Sequence, residues 1–268
     1  MAADETLRYK NQSVFHVIGF ILVIAVNILA VQLPINGQHT GEVSDKYTHL
    51  LIPIPATFGI WGIIYLALLA FTIYQLWLAF WGDHPQELSH FIHQMKHWWL
   101  ISCLANASWL FAWHYEILQV SFLLMLLLLT SLIAIHHNFS IGHQAFSNRE
   151  KYLLHYPFSL YLGWVSFAAL ANLTALMVYW GWQGQGISMV TWTVLMISIS
   201  AGLCVYMILQ HNNIIFGMVH IWALWGVIMQ RRHPDQVTAP AVVHACFIAI
   251  AMIAITILWK WYQQRSAS

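Results

Sequence analysis

Charged residues are scarce in this chain. They make up 7% of its 268 residues, while 60% of the residues are hydrophobic. Ordinary soluble domains carry about 25% charged residues, so the composition excludes that class and indicates an integral membrane protein. The formal net charge is only +1, and no cluster of Lys and Arg reaches the size of a nucleic-acid-binding surface. We therefore expect no nucleic-acid partner.

Cysteine is also rare. The three cysteines, Cys103, Cys204 and Cys246, lie inside apolar runs and show no C-x-x-C spacing. This pattern indicates neither a disulfide framework nor a zinc ribbon. The three thiols are interpreted as small core side chains.

Ionisable residues are missing from the centres of the long apolar runs, where no Asp, Glu, Lys or Arg occurs. Ion-coupled transporters and proton pumps usually need such a group at depth. The sequence also contains no G-x-S-x-G or H-E-x-x-H motif and no pair of acids placed for general acid–base catalysis. These absences count against ion-coupled transport and against hydrolysis, and no reaction is assigned.

Apolar runs long enough to be transmembrane helices dominate the chain. The clearest is residues 53–81, where two prolines and a glycine lead into an apolar run of about 24 residues, enough to cross a hydrocarbon core of about 30 Å. The polar segment after it predicts a short amphipathic surface helix, and GWQGQG at residues 181–186 predicts a tight turn. The predicted spans are approximately 14–33, 53–81, 97–113, 117–135, 157–182, 187–209, 214–229 and 239–261. The fold class is therefore all-α, a polytopic helix bundle with about eight transmembrane helices.

Basic residues predict the orientation of this bundle. Eight spans place both termini on one side, where seven basic residues collect, against three on the other side. The seven are Arg8, Lys10, Lys96, Arg149, Lys151, Lys260 and Arg265, and the three are Lys46, Arg231 and Arg232. Because cytoplasmic loops carry the excess of Lys and Arg, we expect both termini in the cytoplasm of a bacterial inner-membrane protein.

Three aromatic-rich segments occur in order along the chain. They are FGIWGIIY at Phe58–Tyr65, NASWLF at Asn106–Phe111, and YLGWVSFAALAN at Tyr161–Asn172. Together they resemble the TspO/MBR family, the tryptophan-rich sensory proteins related to the mitochondrial translocator protein.

The resemblance implies a division of the chain. A five-helix TspO-like bundle would occupy residues 14–182, after a cytoplasmic N-terminal segment at 1–13. Three additional transmembrane helices at 183–262 and a C-terminal tail at 263–268 would make this an enlarged member of the family.

The resemblance also implies a ligand pocket among the helices, which in this family binds tetrapyrroles such as porphyrins or haem, sterols, or synthetic aromatic compounds. Indole faces can stack on a macrocycle while amides and hydroxyls orient it. No basic residue follows Asn172 as the sterol-recognition pattern requires, so a tetrapyrrole is favoured over a sterol. No cofactor is expected to be obligatory. Carried over onto the matching positions, the ligand-binding residues are Trp61, Tyr65, Asn106, Trp109, Trp164, Ala168 and Asn172.

The chain departs from the family pattern at two places. Pro55 stands where the family often has an aromatic residue, and Leu110 and Phe111 stand where a proline pair often follows the tryptophan of span three. The lid over the pocket and the helix kinks of the family are therefore not expected to carry over directly.

Other interpretations stay open. The aromatic faces can simply pack helix on helix, in an accessory subunit of a larger membrane complex or in a homodimer. A haem-dependent oxidoreductase would use His220 as an axial ligand. His90, His93 and His97 recur at i, i+3 and i+7, with Glu87 one turn earlier, and this spacing could hold a metal on one helix face. A solvated or interfacial helix face is the simpler interpretation, and no metal ligand is assigned.

Overall fold

The computed structural model describes residues 3–143, 145, 147–181 and 186–266, and every regular element within them is helical. The all-helical membrane bundle predicted from the sequence is confirmed. The turn predicted at 181–186 and the predicted boundary at 182/183 fall mostly on residues outside the described ones. The α-helices are α1 (Ala3–Gln32), α2 (Thr40–Lys46), α3 (Ile60–Phe80), α4 (Pro85–Met95), α5 (Trp98–His114), α6 (Leu118–Asn138), α7 (Asn148–Glu150), α8 (Tyr156–Tyr179), α9 (Met189–His211), α10 (Ile214–Arg232) and α11 (Pro240–Ser266).

Short helical turns link some of these elements. A 3₁₀ turn at Ile35–Gly37 follows α1, and a second one at Pro55–Gly59 leads directly into α3. A π-helical turn at Lys151–His155 joins α7 to α8.

Seven helices of the described chain are long and apolar enough to cross a membrane, by length and composition. They correspond to all the predicted spans except the third. That span is α5, whose 17 residues extend about 26 Å at 1.5 Å per residue, slightly less than a hydrocarbon core of about 30 Å.

Local sequence signals set the ends of the last three helices. Ser188 accepts a hydrogen bond from the backbone N–H of Thr191 at the start of α9, and Asn213 accepts one from Phe216 at the start of α10. Pro240 opens α11 at a position where its missing N–H has no cost. Asn212 adopts φ +51°, a left-handed conformation that ends α9 and keeps the connection to α10 very short.

The chain forms two compact units. The first comprises Met1–Thr40 and Trp61–Tyr161. Its core is aromatic: the ring of Phe71 lies 5.8 Å from Phe91, 5.1 Å from Trp99 and 5.0 Å from Phe158, measured between ring centroids.

The second unit comprises Gly41–Ile60 and Leu162–Ser268, in which α9, α10 and α11 pack against one another. Gly163 on α8 allows close approach to α10, because a Cβ there would lie 3.1 Å from Cβ of Val219. The predicted division into a bundle at 14–182 and three further helices stays a prediction.

Candidate functional site

Two of the predicted ligand-binding residues form an aromatic pair on α3. Trp61 and Tyr65 are one helical turn apart, and their rings stack with centroids 5.4 Å apart and an interplanar angle of 18°. The edge of Tyr161 meets the Trp61 ring at 6.0 Å. The three rings form a continuous aromatic surface within the first unit.

Asn106 on α5 is the polar centre beside this surface. The side chain is buried; its Nδ2 donates to the Tyr161 hydroxyl at 2.9 Å and its Oδ1 accepts from Asn27 Nδ2 at 2.9 Å. Asn27 was not predicted as a site residue. The signal that could have found it is that Asn27 is an amide well inside the apolar run of span one, where a polar side chain usually needs a partner on another helix.

Two hydrogen-bond donors near Asn106 make no hydrogen bond within the described part of the chain. The Tyr65 hydroxyl and the Trp109 indole N–H are both buried, and neither has a hydrogen-bond partner among the residues the structure describes. Asn106 lies near the Tyr65 hydroxyl, but the two side chains do not meet in hydrogen-bond geometry; Asn106 Oδ1 accepts from Asn27 and Asn106 Nδ2 donates to Tyr161. Buried donors without acceptors are costly, so these two groups can bind acceptor atoms of a ligand.

Trp109 belongs to a well-packed part of the same unit. Its ring stacks on Trp113 with centroids 6.0 Å apart, and it packs against a buried cluster that includes Val26 and Ala30 of α1 and Leu110 of α5. These contacts hold the indole in one orientation.

The remaining predicted residues, Trp164, Ala168 and Asn172, lie in the second unit at i, i+4 and i+8 on α8, a spacing that places them on one helix face. Trp164 is buried, meets Phe58 edge to face at 5.8 Å and stacks on Phe167 at 6.4 Å. The structure thus brings Trp61, Tyr65 and Asn106 together within one unit, and the seven-residue pocket stays a prediction.

His220 on α10 is enclosed by serine hydroxyls. Ser166 Oγ donates to the carbonyl of Gly163, so it accepts from His220 Nε2 at 2.9 Å, and His220 Nδ1 then accepts from Ser200 Oγ at 2.7 Å. The ring also stacks on Phe216 with centroids 4.7 Å apart. Both ring nitrogens are engaged, so no lone pair is left for haem iron.

The histidines of the α4 region do not share a helix face. α4 ends at Met95, and Lys96 adopts φ +49°, so the helix that carries His90 and His93 does not continue to His97. His93 Nδ1 lies 2.8 Å from the carbonyl of Ser89. In the described part of the chain, no group of three His, Cys, Asp or Glu residues is placed to hold a metal ion.

Two carboxylates, Glu87 and Glu150, are buried; sequence reasoning considered Glu87 only beside the α4 histidines and did not single out Glu150. Glu87 accepts from the Tyr74 hydroxyl at 2.7 Å and from the Ser147 hydroxyl. Glu150 faces two imidazoles, with His90 and His155 Nε2 atoms each 3.2 Å from its carboxylate oxygens. Apart from His155, which is five residues after Glu150, their partners are distant in sequence, so no local pattern could have shown that these carboxylates are buried.

Comparison with protein-family models gives a match over residues 13–259, to the family described as TSPO-like protein. No curated protein and no solved structure matches the chain. The match extends past residue 182, where the resemblance of the sequence motifs ends, and includes α9, α10 and most of α11. The chain belongs to the TSPO-like protein family.

Proposed function

We propose that this TSPO-like protein binds a hydrophobic ligand within the membrane, and that the ligand is a tetrapyrrole such as a porphyrin or haem. Membership of the family supports a membrane ligand-binding or sensing protein. Both sensing and transport require that the ligand binds first.

The observation that carries the proposal is the combination of an aromatic wall with unused donors. The stacked pair Trp61 and Tyr65 offers a flat π-surface, and the Tyr65 hydroxyl and Trp109 N–H have no partner among the described residues. A planar macrocycle with polar substituents offers a face for the first and acceptor atoms for the second. Trp164, Ala168 and Asn172 are included among the proposed ligand-binding residues because the family resemblance implies them.

A titration tests the proposal. Protoporphyrin IX is added to the detergent-purified protein while tryptophan fluorescence is followed, and the same titration is run on Trp61→Leu and Trp164→Leu. We expect saturable quenching in the wild type and an affinity weaker by about tenfold in each variant, which corresponds to about 1.4 kcal/mol of lost stacking. Trp259→Leu is the matched control, because Trp259 is exposed on α11, and it should bind like the wild type.

The same preparation separates the alternatives. Absence of saturable quenching in the wild type, or equal weakening in all three variants, would contradict the proposal. Absence of binding together with co-purifying membrane proteins would favour the accessory subunit. A Soret band in the protein as purified would favour the haem-dependent oxidoreductase.

We also propose that α5 completes eight crossings, with both termini in the cytoplasm of a bacterial cell. α5 and α6 pack together and are joined by only Tyr115–Ile117. At the other end of this hairpin, Asn138 of α6 donates to the carbonyl of Gln94, 2.8 Å away and just before α5 begins. α5 and its preceding turn therefore match the length of α6. Labelling of single cysteines introduced near each terminus, in intact and in opened cells, tests whether the termini share the cytoplasmic side.

A further inference from the structure

A buried guanidinium lies at the end of α10, and none of the ion pairs among the described residues includes it. Arg231 is 3% exposed. Its hydrogen bond from Nη2 to Gln236 Oε1 is long, at 3.4 Å, and its Nε is buried without an acceptor among the described residues. Within the described chain no carboxylate lies at ion-pair distance from this guanidinium; the nearby Asp235 is exposed and faces His233 instead.

The segment before α3 brings a second basic side chain to the same place. His49 is buried, and its Nδ1 accepts from the backbone N–H of Leu51 at 3.3 Å. Burial, together with the positive charge of Arg231, lowers the pKa of His49 to about 3. His49 is therefore neutral at neutral pH, and it supplies no negative charge to balance Arg231.

This segment is held firmly against α10. The N–H of Ile54 donates to the carbonyl of Gly226 at 3.0 Å, and Trp222 Nε1 donates to the carbonyl of Thr57 at 3.0 Å. Gly226 is required here, because a Cβ at that position would lie 2.1 Å from Thr57 Oγ1. The surroundings of Arg231 are thus defined by packed backbone and not by a loose side chain.

A lone buried cation is unfavourable unless an anion accompanies it. The partial negative charge of the last turn of α10 offsets only a fraction of a unit charge. A guanidinium presents several N–H donors in a planar fork that fits a carboxylate or a phosphate. Arg231 ends a helix that is apolar enough to span a membrane, so an anionic group reaching it would come from a molecule at the membrane boundary.

We propose that Arg231, with His49 beside it, binds the anionic oxygen group, carboxylate or phosphate, of an amphiphilic ligand at the membrane surface. Two sources carry this chemistry: the acid group of an apolar small molecule and the headgroup of an acidic lipid. The site lies in the second unit and does not depend on tetrapyrrole binding at Trp61.

Two paired comparisons on the full-length protein test the site and separate the sources. In the first, the affinity for protoporphyrin IX is compared with that for its dimethyl ester, which lacks the acid groups. In the second, thermal stability is compared in nanodiscs of phosphatidylglycerol and of phosphatidylcholine, which differ in headgroup charge. We expect the wild type to bind protoporphyrin IX more tightly than its dimethyl ester, or to be more stable in phosphatidylglycerol than in phosphatidylcholine. The first result identifies the acid group of a small molecule as the ligand, and the second identifies an acidic lipid headgroup.

Variants assign that preference to one residue. Arg231→Gln should weaken binding of the anionic member by about tenfold or more in the porphyrin pair, or abolish the extra stability in phosphatidylglycerol, and Arg231→Lys should retain part of the preference. Arg232→Gln is the matched control, since Arg232 is exposed and its guanidinium lies over the Phe247 ring at 5.1 Å; it should behave like the wild type.

The comparison in the wild type does not require any variant to fold. A wild type that discriminates neither pair overturns the proposal, as does an Arg231→Gln protein that keeps the full preference. Failure of both porphyrins to bind would count against the tetrapyrrole proposal, while the lipid comparison would still test Arg231.

Discussion

Asn106 Nδ2 donates to the hydroxyl of Tyr161 across 2.9 Å, and Asn106 Oδ1 accepts from Asn27 at the same distance. One amide thereby joins α1, α5 and the start of α8 within the first unit. Asn106→Leu removes both bonds: the buried Tyr161 hydroxyl loses the donor it accepts from, while Asn27 keeps only its bond to the carbonyl of Val23. We expect the free energy of unfolding to fall by about 1–2 kcal/mol, measured as a lower Tm in detergent. Leu104→Ala, at an exposed position of the same helix, should change Tm little, and an unchanged Tm for Asn106→Leu would contradict this role.

Tyr65→Phe separates binding from stability. The Tyr65 hydroxyl is buried without a partner among the described residues, so its removal should leave Tm unchanged or raise it. If a ligand acceptor uses that hydroxyl, protoporphyrin affinity should fall by about fivefold, equivalent to one hydrogen bond of about 1 kcal/mol. Unchanged affinity would remove the hydroxyl from the proposed site.

Gly226→Ala should separate α10 from the segment before α3. Its Cβ would meet Thr57 Oγ1 at 2.1 Å and Pro53 Cβ at 2.9 Å, and overpacking of this kind costs about 1–3 kcal/mol. Gly202→Ala on α9 is the control, because nothing lies within 4 Å of the position that its Cβ would take and alanine favours helix by about 1 kcal/mol. Thermal unfolding should show opposite shifts, and equal Tm values for the two variants would exclude a tight contact at Gly226.

His220→Leu tests the haem interpretation and the structural one together. The variant leaves the hydroxyls of Ser166 and Ser200 without their imidazole partner. The free energy of unfolding should therefore fall by about 1–2 kcal/mol, which is measured as a lower Tm. Ser200→Ala, which removes one of the two bonds, should have a smaller effect. A Soret band in the wild type that disappears in His220→Leu would show axial ligation and contradict the hydrogen-bonded arrangement.

His49 predicts a pH dependence of stability. Its pKa is lowered from 6.5 to about 3 by burial and by the charge of Arg231, so below pH 6.5 the unfolded chain binds a proton that the folded protein does not. The contribution of His49 to the free energy of unfolding is fully present above pH 6.5. Below pH 6.5 it decreases by up to about 1.4 kcal/mol per pH unit, until the pH reaches the pKa of the folded state. His49→Gln keeps an acceptor for the Leu51 N–H but does not titrate.

The measurement is Tm of both proteins in detergent between about pH 7.5 and about pH 5. Other histidines contribute equally to the two proteins, so the difference between them reports His49. As the pH is lowered, the Tm of the wild type should fall further than the Tm of His49→Gln. Parallel curves would show that His49 is not buried as a neutral imidazole.

The lengths of the apolar runs predicted the helices well. Each predicted span contains a helix, because an apolar run that must satisfy its backbone in a membrane has few alternatives to a helix. Most helix ends lie within a few residues of the expected positions, but α1 begins at Ala3 where the predicted span begins at residue 14, and α3 begins at Ile60 where the predicted span begins at residue 53. α5 is the predicted span that is not among the seven long apolar helices. It is short because polar residues flank it, Lys96 and His97 before it and Tyr115 and Glu116 after it.

The candidate site was predictable only in part. Trp61 and Tyr65 are one turn apart on one helix, so helical periodicity alone places them together. Asn27 and Tyr161 come to Asn106 from distant parts of the chain, and no periodicity contains that information.

The sequence by itself determined that this chain is a helical membrane protein, where its helices lie, and to which family it is similar, because these depend on hydropathy, capping and motif order along the chain. Only the tertiary structure decided which polar side chains meet. Arg231 shows the difference: in the sequence it is one of two adjacent arginines at the end of a span, whereas in the fold it is buried beside His49 and Arg232 is exposed. Burial depends on what packs against a residue, and the segment that carries His49 to Arg231 comes from a distant part of the chain.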